Sequence, residues 1–308
     1  MAKIVWIVGA SFSGTSLLNL LLDTQPTIRG LGEGSQVYRR GTWGPQETVH
    51  VSGGPCALCR STVDECQLYR NYTGQPFYRF NLDHYRCNVL IDSSKSVDMF
   101  RVKPFEPDHR YLVIMMSKSP PEAVYSFKQH AKWDHWDAES KKYGAVPAGL
   151  NFYIRTYRNY LNELSQIATP PPVICVQYAQ LVTKPVRAIE RLCSILEEPF
   201  DDGRLTARWW ETDTHILGGN PAVVAQVVQD DQFAFAIPRD RYLDGKYEGR
   251  AGQIFYDSAW QRDRTFLEEC FGAMNERRSE LRALLPRIGH DFEDVMDDLE
   301  RLRSSTSN

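Results

Sequence analysis

The sequence predicts an α/β fold, a three-layer sandwich in which a mostly parallel sheet is flanked by helices. Two observations predict it. Short apolar runs at Ile4–Val8, Asn88–Ile91, Tyr111–Met116 and Val173–Gln177 alternate with helical patterns at Ser16–Thr24, Pro120–Lys132, Gly149–Ile167 and Pro185–Leu196. The first run and the first helix are joined by the glycine loop Gly9-Ala10-Ser11-Phe12-Ser13-Gly14-Thr15-Ser16, the entry expected of a P-loop-like sheet.

The remaining elements follow in order. The stretch from about Arg39 to Cys87 is rich in Gly, Cys, Tyr and Arg and lacks clean periodicity, so it reads as an irregular insertion off the sheet. Thr169-Pro170-Pro171-Pro172 reads as a rigid turn into a strand rather than a linker. Ser258–Leu285 and Asp291–Leu302 have the pattern of long amphipathic surface helices. The expected organisation is a single domain over 1–308, with an insertion at about 39–87 and carboxyl-terminal helices at about 258–303.

At 308 residues the chain can bury one large α/β core. Its 42% apolar and 24% charged residues are ordinary for a globular enzyme, and a net charge of -3 argues against nucleic acid as the main partner. No apolar run approaches the roughly 18 residues of a membrane helix. The first strand begins at once, with neither signal peptide nor anchor, so a cytoplasmic setting is expected, with the seven cysteines mostly reduced. Oligomeric state is left open.

A strand, a glycine loop and a helix start make an anion site, because unpaired amides and the helix dipole converge there. The spacing is that of a Walker A loop, except that Thr15 stands where the lysine belongs. A cradle without that lysine suits a nucleotide with a smaller charged group than a triphosphate. The competing, purely structural use of Ser13 or Thr15 is as a helix cap.

Further motifs follow in sequence. After Ser13-Gly14-Thr15-Ser16 come a Leu-Leu-Asp-x-x-Pro segment ending at Pro26 and Arg29-Gly30-Leu31-Gly32-Glu33. Val89-Leu90-Ile91-Asp92-Ser93-Ser94-Lys95 and Lys118-Ser119-Pro120-Pro121-Glu122-Ala123-Val124-Tyr125-Ser126 come next. Last are Tyr178-x-x-Leu181-x-x-x-Pro185 and His215-Ile216-Leu217-Gly218-Gly219-Asn220-Pro221. Together they resemble, over roughly residues 4–221, the sulfotransferases that use PAPS (3′-phosphoadenosine 5′-phosphosulfate). The likeness is to the bacterial branch, with similarity to tyrosylprotein sulfotransferases at the first motifs.

The resemblance implies that PAPS is the cofactor and PAP its product. Ser11, Phe12, Ser13, Gly14, Thr15 and Ser16 would hold the 5′-phosphosulfate, and Lys118 and Ser126 the 3′-phosphate. Asn220 would donate to a phosphate or to the acceptor. One departure is Phe12, where the family usually places Lys or Arg to stabilise the bridging oxygen; Lys95 is the best substitute. Glu33 occupies the place of the catalytic glutamate of tyrosylprotein sulfotransferases, with His84, His130 and His135 as competing bases. Tyr178 and His215 read as packing residues.

Cys56-x2-Cys59-x6-Cys66, with Cys87 further on and His50 and His84 nearby, has the spacing of a candidate structural zinc site. Free buried thiols or a redox pair are the alternatives. Cys175, Cys193 and Cys270 sit in apolar contexts and are expected in the core.

The aromatic stretch Lys132–Tyr143 reads as a lid over the acceptor, with Asn220–Ala251 as a candidate opposite wall. A small-molecule hydroxyl acceptor is expected (a natural product, a glycan or a lipid head group), with an amine as the lesser alternative. Two other functions remain: a P-loop kinase, with Val89–Asp92 imitating a Walker B strand, and a catalytically silent PAPS- or PAP-binding protein, suggested by Phe12.

Overall fold

The structure, a computed structural model, describes residues 1–38, 56, 59, 65–95, 106–130, 134–205, 213–217 and 259–305. Five strands, β1 (Lys3–Gly9), β2 (Ile28–Gly30), β3 (Val89–Asp92), β4 (Arg110–Ser117) and β5 (Val173–Gln177), form one sheet in the order β2-β3-β1-β4-β5. Every pairing is parallel. Among the described residues the α-helices longer than one turn are α1 (Thr15–Asp23), α2 (Phe77–Tyr85), α3 (Pro120–His130), α4 (Asp134–Tyr143), α5 (Ala145–Ser165), α6 (Tyr178–Thr183), α7 (Pro185–Ile195), α8 (Arg264–Glu276), α9 (Arg278–Leu284) and α10 (Phe292–Ser305).

Strand β1 is apolar from Ile4 to Val8 because both its faces are covered there. Ile4, Trp6 and Val8 point into one core with α2, α3, α5 and the carboxyl-terminal helices, while Val5 and Ile7 point into the other with α1, α6 and α7. The chain leaves β1 to build β3 and β2 on one side, then returns to build β4 and β5 on the other. The connections after β1 and β4 therefore run to opposite faces of the sheet, and the carboxyl ends of these strands are where such sheets have their ligand crevice.

Strand β2 is absent from the sequence expectation because a run of three residues, Ile28–Gly30, carries no readable period. Its parallel pairing with β3 requires a crossover, and α2 supplies it from the end of the stretch expected to lie off the sheet. There Tyr69, Phe77 and Tyr78 are fully buried. Tyr78 locks the layers together: its hydroxyl accepts from Trp6 Nε1 at 2.9 Å and donates to Asp92 Oδ2 at 2.9 Å. Most of residues 39–64 lie outside the described residues.

Two further expectations are corrected. The long helix over Ser258–Leu285 is two helices broken at Arg277, whose guanidinium reaches forward to Glu280 at 2.6 Å. The apolar faces of these helices, with Phe266, Leu267, Met274 and Leu281, complete the core rather than only coating it. Cys193 and Cys270 are buried, but Cys175 is exposed, because β5 is the edge strand of the sheet.

Candidate active site

The loop after β1 is shaped by close approach. A Cβ on Gly9 would stand 2.6 Å from Met116 O, and one on Gly14 2.5 Å from the Tyr178 ring, so both positions demand glycine. Gly14 also takes φ +92 as it caps α1. A glycine cap has no side chain to offer to the first-turn amides of α1. The Thr15 hydroxyl is buried and makes no hydrogen bond among the described residues, and the buried Ser13 hydroxyl faces the Tyr157 phenol rather than the amides of α1. A capping role for either is thus excluded. The Ser13 amide donates to Ala10 O at 3.1 Å, which takes it out of the expected set of anion-binding amides.

Ser11 is half-buried in the turn, and Ser16 is buried at the start of α1. Phe12 adopts φ 63, a left-handed backbone rare for a bulky residue, and its ring meets Phe127 edge-on at 6.3 Å. Strain of this kind is held only where the surroundings over-determine it, and it clusters at functional sites.

Lys118, at the end of β4, and Ser126, on α3, come together: Nζ donates to Oγ at 2.9 Å. The ammonium also lies 4.4 Å from the centroid of Tyr178, the ring that packs on Gly14. Tyr178 therefore joins the loop to the Lys118–Ser126 pair, a role its sequence position did not reveal. Beneath them Glu122 is buried, and burial pushes its carboxyl up to about 7 against the downward pull of Lys118.

Glu33 and Lys95 meet from the segments that follow β2 and β3, with Lys95 Nζ 4.0 Å from Glu33 Oε1. Burial pulls the Lys95 ammonium below its ordinary value, and the Glu33 charge partly offsets this. The turn that carries Lys95 is fixed by Asp92, which accepts from the Ser94 amide at 2.9 Å and from the Ser94 hydroxyl at 2.5 Å. The segment that carries Glu33 is fixed by α1. Asp23 Oδ1 accepts from the Gly30 amide at 2.7 Å, and Asn19 Oδ1 from the Gly32 amide at 3.4 Å.

Three tyrosines of α5 hold the strand ends in place. Tyr153, Tyr157 and Tyr160 donate to the carbonyls of Lys118 at 3.0 Å, Met116 at 2.7 Å and Lys95 at 2.6 Å. Burial raises all three phenols, so they remain protonated donors. Their rings are also buried in the core.

Away from this crevice, Cys56, Cys59 and Cys66 gather round His215, with all four ligand atoms within 4.8 Å of one another. His215 Nδ1 lies 3.4, 3.3 and 3.2 Å from the sulfurs of Cys56, Cys59 and Cys66, and the Cys59 and Cys66 sulfurs are 3.7 Å apart. Cys87, expected as the fourth ligand, is not in the group: it follows α2 next to β3, where burial pushes its thiol up to about 11. His84 faces His215 at 6.1 Å between ring centroids, so it stands with the cysteines rather than at Glu33. Asn220 and the side chains of His130 and His135 lie outside the described residues, as does Asn220–Ala251. The expected lid contains α4, Asp134–Tyr143. Among the described residues no helix is long and apolar enough to cross a membrane.

The sequence profile described as "Sulfotransferase family" matches residues 5–202. No curated protein matches the chain. Among solved structures, the sulfotransferase domain from the curacin biosynthetic pathway is similar at TM-score 0.52 and 17% identity, covering 83% of this chain and 99% of that one. A sulfotransferase from Alicyclobacillus acidocaldarius matches at TM-score 0.40 and 14% identity, covering 94% of this chain and 97% of that one. The matched residues take in the β1 loop, Glu33, Lys95, Lys118 and Ser126, and the chain belongs to the sulfotransferase family.

Proposed function

We propose that the protein transfers the sulfuryl group of PAPS to a hydroxyl of a small-molecule acceptor, by in-line displacement with a general base. The observation that carries this reading is the distribution of polar groups along the crevice. The buried, unpartnered Thr15 hydroxyl stands where a triphosphate site would have its lysine, and the buried cation lies across Tyr178 at Lys118, paired with Ser126. That set fits a nucleotide with a small charged group at one end and an extra phosphate at the other. It does not fit a triphosphate.

When bound, PAPS supplies the activated sulfuryl group. The Thr15 and Ser13 hydroxyls and the first-turn amides of α1 bind its 5′ end. Lys118 and Ser126 hold the 3′-phosphate, the lysine as a point charge rather than a fork. Glu33 accepts the proton of the acceptor hydroxyl on its carboxylate. Lys95 meets the charge that develops on the departing oxygen, in place of the cation that Phe12 cannot provide. A structural zinc in the Cys56–Cys59–Cys66–His215 group belongs to the same proposal. The cytoplasm suits it, since all seven cysteines are free and zinc binds thiolates.

Phe12 favours one second reading, a protein that binds the nucleotide without turning it over. Turnover of radiolabelled PAPS over a panel of phenols, sugars, lipid head groups and amines decides between them. Label transfer to any acceptor supports the enzyme; nucleotide binding with no transfer across the panel supports the silent protein.

A further inference from the structure

Cys56, Cys59, Cys66 and His215 enclose a space of defined shape. A tetrahedral zinc ion with bonds of about 2.3 Å to sulfur and about 2.0–2.1 Å to nitrogen sets its ligand atoms about 3.8 Å apart for S···S and about 3.5 Å for S···N. The observed 3.7 Å between the Cys59 and Cys66 sulfurs, and 3.2–3.4 Å from each sulfur to His215 Nδ1, are close to those edges. The sulfurs are also ringed by donors in the way metal-bound thiolates are. The Gln67 amide donates to Cys59 Sγ at 3.4 Å, and backbone amides of Cys59 and Tyr69 face the sulfurs of Cys56 and Cys66. Cys56 and Cys66 are fully buried, so four such ligands gathered without an ion would leave polar groups crowded in the core.

The two arms of this centre converge on one place. Along the first, His215 is followed by Leu217, which accepts from the Glu33 amide at 2.6 Å and donates to Leu31 O at 2.9 Å, bridging Gly32. Gly32 takes φ +68, and a Cβ there would stand 2.8 Å from Leu217 N, so the close approach depends on glycine. Thr214 adds a hydroxyl bond to Asp23 Oδ1 at 2.9 Å, the same oxygen that holds Gly30. Along the second arm, Cys66 leads to Tyr69, whose ring stacks on Phe77 at 6.3 Å, and Phe77 is the side chain a Cβ on Gly34 would meet at 2.9 Å. Glu33 lies between these anchors.

We propose that Cys56, Cys59, Cys66 and His215 bind one zinc ion, and that this ion positions Glu33 by holding Thr214–Leu217 against the Leu31–Glu33 backbone. With Glu33 as the base of the transfer proposed above, the ion touches neither nucleotide nor acceptor. Its effect is to fix where the carboxylate stands, and His215 is a positioning residue. Misplacing a catalytic group by about 1 Å can cost about 10²-fold in rate.

The test uses the full-length protein purified without chelator. Elemental analysis should give one equivalent of zinc, and cobalt in its place should show the intense visible bands of a tetrahedral thiolate site. His215→Ala should lose the metal, and His215→Cys should keep it. In His215→Ala, kcat should fall by up to about 10²-fold while the Kd for PAP stays within about twofold. That loss should shrink on an acidic phenol acceptor, as it would for loss of the base itself, whereas general loosening would slow all acceptors alike. His215→Cys should recover most of kcat. If His215→Ala fails to fold, zinc removal from wild type and its re-addition should move kcat down and up with PAP affinity unchanged. Absence of zinc and of cobalt bands in wild type would overturn the metal site, as would oxidised cysteines in its place. Metal lost with kcat and its acceptor dependence unchanged would overturn the positioning role. Failure of wild type to bind PAP would count against the nucleotide reading instead, since the ion makes no contact there.

Discussion

Lys118 Nζ donates to Ser126 Oγ at 2.9 Å, and Ser126 Oγ in turn donates to Glu122 O at 3.0 Å. A cation and a hydroxyl are thus brought together before any ligand arrives, with Tyr178 and Tyr153 fixing the lysine from the ring face and the backbone. Pre-arranged groups of this kind bind an anion without first having to be ordered.

The first prediction follows from that pair. Lys118→Ala and Ser126→Ala should weaken PAP much more than adenosine 5′-phosphate, because they meet only the additional phosphate. A charge-assisted contact is worth roughly 1.5–3 kcal/mol, or about ten- to a hundredfold for Lys118. Calorimetric titration with both nucleotides measures it, and an equal loss for the two would remove these residues from the 3′-phosphate site.

The second prediction concerns nucleotide class. Thr15 replaces the Walker lysine, so PAP should raise the melting temperature and ATP with magnesium should not, since a ligand stabilises only the state that binds it. A larger thermal shift from ATP-magnesium than from PAP would return the chain to the kinase reading.

The third prediction is a pH dependence. Burial pushes the Glu122 carboxyl from 4.5 up to about 7, so the folded state holds this proton more tightly than the unfolded chain. Stability from this group is therefore full below about 4.5, falls as pH rises through 7, and is lower above it by on the order of 3 kcal/mol. Glu122→Gln should remove that slope. Thermal melts of both proteins from about pH 5 to about pH 8 read the difference, which cancels the other titrating groups. A difference constant with pH would mean Glu122 does not titrate there. Ionised Glu122 also opposes a phosphate on Lys118, so wild-type PAP affinity should fall above pH 7 and that of Glu122→Gln should not.

The fold was legible where residues were numerous and periodic. Ile4–Val8 and Tyr111–Met116 read as strands and became β1 and β4, because a covered strand must be continuously apolar or nearly so. Strand β2 was not legible, since Ile28–Gly30 is a strand only through its parallel partner β3. At the site, the spacing of Gly9 to Ser16 announced the loop, and Lys118 and Ser126 could be paired from their motif. Tyr178 and His215 could not be placed. One packs its ring on Gly14 from far along the chain, and the other is 149 residues from Cys66, and no local pattern encodes contacts that long. Cys87 misled because sequence proximity to Cys66 says nothing of where a turn after α2 will point.

The last prediction concerns the mechanism. Glu33 and Lys95 stand 4.0 Å apart on the segments that follow β2 and β3, each fixed through its backbone, Glu33 by Leu217 and Lys95 by Tyr160. Removal of a general base typically costs about 10²–10⁴ in rate, and loss of an electrostatic donor about 10²–10³. Glu33→Gln should therefore slow turnover strongly and leave PAP affinity nearly unchanged, because its carboxylate serves the acceptor. Lys95→Ala should reduce both rate and affinity, because its charge serves the nucleotide. A nitrophenol should partly rescue Glu33→Gln, since an acidic hydroxyl needs less help losing its proton, and it should not rescue Lys95→Ala, whose defect lies on the leaving side. Steady-state rates on a series of phenols of graded acidity separate the two. Full activity of Glu33→Gln on a weakly acidic alcohol would place the base elsewhere, with His130 and His135 as the next residues to replace. His84 would rank behind them, because its ring stands beside His215 at the cysteine cluster.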